Sequence, residues 1–242
     1  QPFHLEASVI DVPGDTFTYK WQEYGLELST QAALDMVFHD AENLPNHTIC
    51  LFVRDDDGGA GEACIDVLLQ DAPPAAEAGA DLTATEGAEV LFSGSFTDPS
   101  VWNEYTVTWD FGDGSPVFEQ QIGIGEPKVA PASHTYLQDG VYTATLTVSD
   151  PHNSSSDTLL VTVVNAIPEV EAGADVTINE GEQVSLEAAY TDAGVDDTHT
   201  YSWYFGDGAS SSGALAAEHV YTQDGVYIAR LQVCDEQDCG DD

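Results

Sequence analysis

Apolar and polar residues alternate along much of the chain. In Tyr142-Thr-Ala-Thr-Leu-Thr-Val-Ser149, Tyr142, Ala144, Leu146 and Val148 fall on one face and hydroxyl side chains on the other. That is the period of a strand with one face buried. Val90-Leu-Phe-Ser-Gly-Ser-Phe96, Tyr105–Trp109 and Leu159–Val164 read the same way, and no stretch of useful length carries the 3.6-residue period of a helix. Several short strands in roughly 90 residues, separated by turn sequences, predict an all-β chain built from β-sandwiches.

The pattern recurs. Glu77-Ala-Gly-Ala-Asp81 returns as Glu171-Ala-Gly-Ala-Asp175, and Trp109-Asp-Phe-Gly-Asp-Gly114 as Trp203-Tyr-Phe-Gly-Asp-Gly208, both at an offset of 94. His134-Thr-Tyr-Leu-Gln-Asp-Gly-Val-Tyr142 returns as His219-Val-Tyr-Thr-Gln-Asp-Gly-Val-Tyr227 at an offset of 85. The middle repeat therefore carries nine extra residues between its GDG and its His, around the loop segment Gln121–Lys128; a loop absorbs them at little cost. The first 70 residues align as a degenerate third repeat: Glu6–Asp11 with Ser93–Asp98, Phe17–Trp21 with Tyr105–Trp109, and Leu51–Asp55 with Leu146–Asp150. There Gln22-Glu-Tyr-Gly25 replaces the FGDG turn and Pro45-Asn-His47 replaces Gly-Val-Tyr. Short Pro-containing junctions at Asp71–Ala75 and Asn165–Pro168 set boundaries at 1–71, 72–166 and 167–242. They are too short to be flexible tethers, so end-to-end stacking is expected.

The succession AGAD, EG, TDP, WDFGDG, H-Y-x-x-DGVY and L-x-V-x-D resembles the PKD (polycystic kidney disease) domain, strongly in the middle repeat and residues 168–242 and weakly in residues 1–70. The resemblance implies three tandem immunoglobulin-like sandwiches of an extracellular protein, without catalysis. On that template Trp109 and Trp203 are core indoles, Gly112-Asp-Gly114 is a tight turn, and Tyr142 and Tyr227 occupy the tyrosine-corner position at the start of strand F. The first sandwich is expected to lack strand A and the last to lack strand G. Open edges at both ends invite a neighbour's strand, so the chain is read either as an excerpt of a longer array or as a subunit whose identical neighbours complete it in a fibre.

Charge narrows the partners. With 44 acidic and 4 basic side chains (Lys20, Arg54, Lys128 and Arg230), the formal net charge is −40. Such a surface repels nucleic acid and anionic membrane. Hydrophobic residues still make up 42% of the chain, enough for packed cores rather than disorder. Neither a signal peptide nor an initiating Met is present, as in a mature product or an excerpt.

The four cysteines fall into local pairs. Cys50 and Cys64 are equidistant from the turn Asp55–Gly59, and Cys234 and Cys239 flank Asp235–Asp238. Both read as cross-strand disulfides on the outer face of an F–G hairpin, implying an oxidising, extracellular setting. Asn46 and Asn153 head glycosylation sequons.

No hydrolase, metalloprotease, phosphate-loop or dinucleotide motif occurs. The seven histidines (His4, His39, His47, His134, His152, His199 and His219) are scattered; His134 and His219 recur at equivalent places beside a core strand, which favours a structural role. Asp55–Gly59 lacks the oxygen spacing and closing Glu of an EF-hand loop. Calcium by another geometry is expected. In the sandwich implied by the resemblance, the start of strand A and the B–C and F–G loops meet at one pole, where family members bind calcium. That places Glu77, Asp98 and Asp150 on one ion and Glu171, Asp192 and Asp235 on its counterpart; adaptation to high salt is the rival account of the acidity. Trp102, in the loop 99–103, is the one indole expected at the surface, a contact for a glycan or protein. The expected function is a non-catalytic stalk, adhesin or surface-fibre segment whose partners are neighbouring repeats or identical subunits. The alternative is the accessory polymer- or protein-binding region of a secreted hydrolase.

Overall fold

The computed structural model describes residues 3–11, 14–38, 46–100 and 102–242; His39 and Pro45 lie outside them. Every regular element is a strand. The N-terminal segment forms β1 (Phe3–Glu6), β2 (Phe17–Glu23), β3 (Leu26–Ser29), β4 (Ala33–Met36), β5 (Asn46–Asp55) and β6 (Ala60–Leu68). The middle repeat forms β7 (Ala75–Glu77), β8 (Leu82–Thr85), β9 (Glu89–Thr97), β10 (Tyr105–Asp110), β11 (Phe118–Ile122), β12 (Val129–Thr135), β13 (Gly140–Ser149) and β14 (Ser154–Val164). The last repeat forms β15 (Glu169–Glu171), β16 (Gln183–Leu186), β17 (Ala189–Thr191), β18 (Thr200–Tyr204), β19 (Ser210–Ser212), β20 (Ala217–Val220), β21 (Arg230–Cys234) and β22 (Cys239–Asp241).

In the middle repeat one sheet has the order β11-β10-β13-β14-β8 and faces a second, β12-β9-β7. The alternation in β13 does what it predicts: Ala144, Leu146 and Val148 are fully buried against Val107, Trp109 and Val161. The Trp109 indole is the centre of this core, and its N–H donates to the Ala130 carbonyl at 3.0 Å. Trp203 and Trp21 do the same, donating at 3.0 Å to the carbonyls of Leu215 and Gln31. Each indole also stands opposite a core leucine of the neighbouring strand: Leu146, Leu231 and Leu51. In each of three separate hydrophobic clusters the indole thus makes the same two contacts.

The FGDG and H-x-Y motifs meet at the lower end of each of the two similar repeats. The imidazole of His134 lies flat on Phe111 (4.2 Å, 2°) and its Nε2 pairs with Asp113 Oδ2 at 2.6 Å. The Tyr136 hydroxyl donates to the Phe111 carbonyl at 3.0 Å, and the Tyr142 hydroxyl to the Gln138 carbonyl at 2.8 Å. Phe205, His219, Asp207, Tyr221 and Tyr227 repeat the arrangement. Gly112 cannot be replaced in the turn: its φ is +80° and an added Cβ would lie 2.4 Å from the Thr143 carbonyl oxygen.

The ends depart from the template in different ways. Among the described residues, β1 pairs only with β4. In the last repeat, strand G is not absent: its first three residues, β22, pair with Gln232–Cys234. Below that short ladder Gly225–Ala229 forms no strand, whereas the equivalent Gly140–Ala144 of the middle repeat pairs with Leu159–Val163. Val226 and Ile228 stand exposed there.

Candidate metal centre at the repeat junctions

The upper pole of the middle repeat is where β9 leaves its sheet at Thr97, β13 ends at Ser149 and the junction enters at Asp71. Asp98 Oδ1 accepts the Ser100 N–H at 2.6 Å, closing a tight turn, and Asp150 Oδ1 accepts those of His152 (2.8 Å) and Asn153 (2.6 Å). In both residues the other oxygen, Oδ2, is buried and takes no hydrogen bond among the described residues. Asp71 Oδ2 accepts the Asn153 side-chain amide at 2.7 Å, and Asp71, Asp150 and His152 bring ligand atoms within 4.8 Å of one another. Burial pushes the Asp98 carboxyl above its usual range, the charges of Asp150 and Asp71 add to that, and the Ser100 N–H and Lys128 oppose it. Lys128 is a cation built into the pole. Its amine donates to the carbonyls of Asp98 (2.8 Å) and Ser100 (2.9 Å) and sits over the Tyr105 ring. It comes from the nine-residue insertion, so the last repeat has no counterpart.

In the last repeat the pole is rebuilt with one exchange. Asn165 replaces Asp71 and Asp238 replaces Asn153, so the acid and amide trade places. Asn165 donates to Asp235 Oδ2 at 3.0 Å, and the N–H groups of Gln237 and Asp238 both reach Asp235 Oδ1 at 2.6 Å. Burial opposes ionisation of Asp235, but the Asn165 amide, these N–H groups and His199 outweigh it and lower its pKa. Asp192 Oδ2 pairs with His199 Nε2 at 2.7 Å.

Glu77 and Glu171 are not brought to these groups. Glu77 lies opposite Ser95 on β7 and Glu171 opposite Ala189 on β15, both exposed and below the pole. Because β7 already pairs at Ala75 with Thr97, the residue level with Asp98 and Asp150 comes from the junction, which is Asp71. The signal for it was the offset of 94 linking Asp71 to Asn165. Glu86, with Asp192 and Asp197, forms a further carboxylate group that the turn-like sequence around it did not announce.

Disulfides join Cys50 to Cys64 and Cys234 to Cys239, each pair directly cross-strand. They lie outside cores filled by Leu51, Leu231 and Val233. The group Cys50, Glu62 and Cys64 therefore offers no thiolate to a metal. Asn46 is exposed at the start of β5, whereas the Asn153 side-chain nitrogen is engaged with Asp71. Trp102 is 56% exposed. Among the described residues no helix is long and apolar enough to cross a membrane.

The family model of the PKD domain matches residues 71–164 and 165–242. Human polycystin-1 is 29% identical over 161 residues, covering 59% of this chain; the match spans 4% of the length of polycystin-1. Among solved structures, the PKD domain of an M14-like peptidase from Thermoplasmatales archaeon SCGC AB-540-F20 is 25% identical, covering 39% of this chain and 98% of that one, with a TM-score of 0.33. Domains A168–A170 of titin cover 97% of this chain and 87% of their own at 13% identity, with a TM-score of 0.46.

Proposed function

The chain belongs to the PKD domain family, and we propose that it is a non-catalytic, load-bearing segment of an extracellular array such as a stalk, adhesin or surface fibre, with calcium stiffening its repeat junctions. The observation that carries this reading is the parallel pairing of β8 with β14, Leu82–Thr85 against Val161–Val164. The chain enters the middle repeat through β7, which pairs with β9, passes into β8 in the opposite sheet, and leaves at the end of β14. Pulling on the two ends therefore slides parallel strands past each other and loads all their hydrogen bonds together. A hairpin pulled from its open end would lose them one at a time.

Other features support the same role. The disulfides suit an oxidising exterior. A net charge of −40 opposes lateral clumping, leaving ends rather than sides to join. The bare oxygens of Asp98 and Asp150, next to Asp71, are suited to calcium, which takes six to eight oxygen ligands including carboxylates; Asp192, Asp235 and Asn165 are their counterparts. Adjoining repeats are the primary partners, and Trp102 is the surface aromatic available to a glycan or protein.

The test uses adjacent prolines. The Glu86 N–H donates to the Val164 carbonyl. Alternation along a strand then turns the Ala84 N–H toward β14 and the Thr83 N–H away from it. Ala84→Pro removes a ladder bond and should lower the force that unfolds the middle repeat; Thr83→Pro should lower it far less. Equal forces for wild type and Ala84→Pro would remove the basis of the load-bearing role.

A further inference from the structure

Where the middle and last repeats meet, the sequence buries a carboxylate with nothing to neutralise it. Glu86 follows β8 at the lower end of the middle repeat and is 3% exposed. Its Oε1 accepts the N–H of Ala166, in the junction, at 2.9 Å. Its Oε2 is buried and receives no hydrogen bond among the described residues. Facing it from the last repeat are Asp192, whose side chain is 3% exposed, and Asp197. Ligand oxygens of the three carboxylates lie within 4.8 Å of one another.

The surrounding donors are already committed. Gly194 N–H and His199 hold Asp192, and the Gln138 side-chain amide donates to Asp197 Oδ1 at 2.5 Å. The Gln237 amide donates to Asp139 Oδ2 at 2.6 Å. Neither basic side chain of the two repeats serves this group: Lys128 is held at the carbonyls of Asp98 and Ser100, and Arg230 pairs with Asp241. The backbones are pressed together, since a Cβ on Gly87 would come 2.7 Å from that of Ala193. A buried carboxylate oxygen without a partner is strongly unfavourable, and here the bare Glu86 Oε2 stands in a group with two further, hydrogen-bonded carboxylates.

We propose that Glu86, Asp192 and Asp197 form a divalent-cation site that bridges the two repeats, with Glu86 reaching across from one and both aspartates from the other. A single proton would satisfy one oxygen; a divalent cation draws on all three residues. Carboxylate oxygens within 4.8 Å of one another are close enough to share one divalent cation, and calcium, which takes oxygen ligands including carboxylates, is the probe of choice. Because the carboxylates belong to different repeats, occupancy fixes one repeat against the other. This site shares no residue with the Asp71, Asp98 and Asp150 pole of the middle repeat and takes Asp192 from the pole of the last repeat.

The test is a calcium titration of the chelator-stripped full chain at fixed ionic strength, followed by backbone amide resonances. Saturable shifts are expected at Gly87, Ala166 and residues 193–198. Glu86→Gln retains an acceptor for the Ala166 N–H, and Asp197→Asn retains one for Gln138; each should weaken the response at least tenfold while leaving any response at residues 98–100 and 150–153 unchanged. Resonances of 193–198 that stay still up to about 10 mM calcium would overturn the proposal, as would equal shifts in wild type and both variants. Shifts confined to residues 98–100 and 150–153 would overturn it while supporting the calcium pole of the array. Shifts confined to the junction would do the reverse.

Discussion

Gln138 offers the sharpest way to ask whether the two similar repeats are held as one body. Its side chain crosses the junction twice: Nε2 donates to Asp197 Oδ1 at 2.5 Å and Oε1 accepts the Asp196 N–H at 3.1 Å. A third bond, from the Val195 N–H to the Leu137 carbonyl at 3.1 Å, lies alongside and involves no side chain. Gln138→Ala removes the first two and leaves the third chemically intact. It also keeps the Gln138 carbonyl that receives the Tyr142 hydroxyl, so the tyrosine corner is undisturbed. A hydrogen bond to a charged group is worth about 1.5–3 kcal/mol and a neutral one about 0.5–1.5 kcal/mol. Both residues are only half-buried, so water replaces part of what is lost, and the lower ends sum to about 2 kcal/mol. If the contact opens as a unit, that weakening raises the open population roughly 30-fold. Amide hydrogen exchange of Val195 reports it directly, since its own partner is unchanged. The expected result is about 30-fold faster exchange at Val195 in the variant, with core amides such as Leu146 unaffected. If Asp196 accelerates and Val195 does not, the bonds are independent local contacts and the junction is not cooperative.

Two further outcomes follow from the acidic groups. Burial of Asp113 disfavours its charge, but the hydrogen bonds of Ser115 and the pairing with His134 outweigh this and lower its pKa. A depressed folded-state value means stability that is present above the unfolded carboxylate value of about 3.9 and is lost as pH falls through the folded one. Asp113→Asn should therefore flatten the loss of stability between about pH 4 and pH 2, measured by denaturant unfolding across that range; an unchanged acid limb would contradict the role given to the His134 pair. At the Asp98 and Asp150 pole, calcium at 100 times its dissociation constant should add about 2.7 kcal/mol, raising the melting temperature by several degrees, with chelator reversing it and Asp150→Asn removing the middle repeat's share. A melt indifferent to calcium and chelator at fixed ionic strength leaves plain acidity, or adaptation to salt, as the meaning of the charge.

What could be read in advance was what depends on a residue and its near neighbours. The alternation at Tyr142–Ser149 located strand F, and the repeat offsets aligned three indoles that share one hydrogen bond. The cysteine midpoints located hairpins that the ladders of β5–β6 and β21–β22 supply. What stayed hidden depends on how repeats abut. Glu86 in a Thr-Glu-Gly turn looks like any solvated turn acid; only the approach of Ala193 and Asp197 makes it buried. Asp71 reads as part of a Pro-rich spacer, and Glu77 as the acid at the start of strand A, until the Ala75–Thr97 register shows which one reaches the pole. Lys128 sits in an insertion whose length is legible and whose destination is not. The parallel β8–β14 pair brings together segments about 80 residues apart, and the four residues of β8 carry too little pattern to announce a partner.

The central claim is that this fold bears load through a shear-loaded terminal pair, and stretching single molecules of the 242-residue chain by their two ends tests it most directly. Among the described residues, only the middle repeat carries a parallel pair, between its second strand β8 and its last strand β14. It should therefore unfold last and at the highest force, releasing about 300 Å of chain for the residues 71–164. A step of that length appearing first, or at the same force as the flanking segments, would contradict the account.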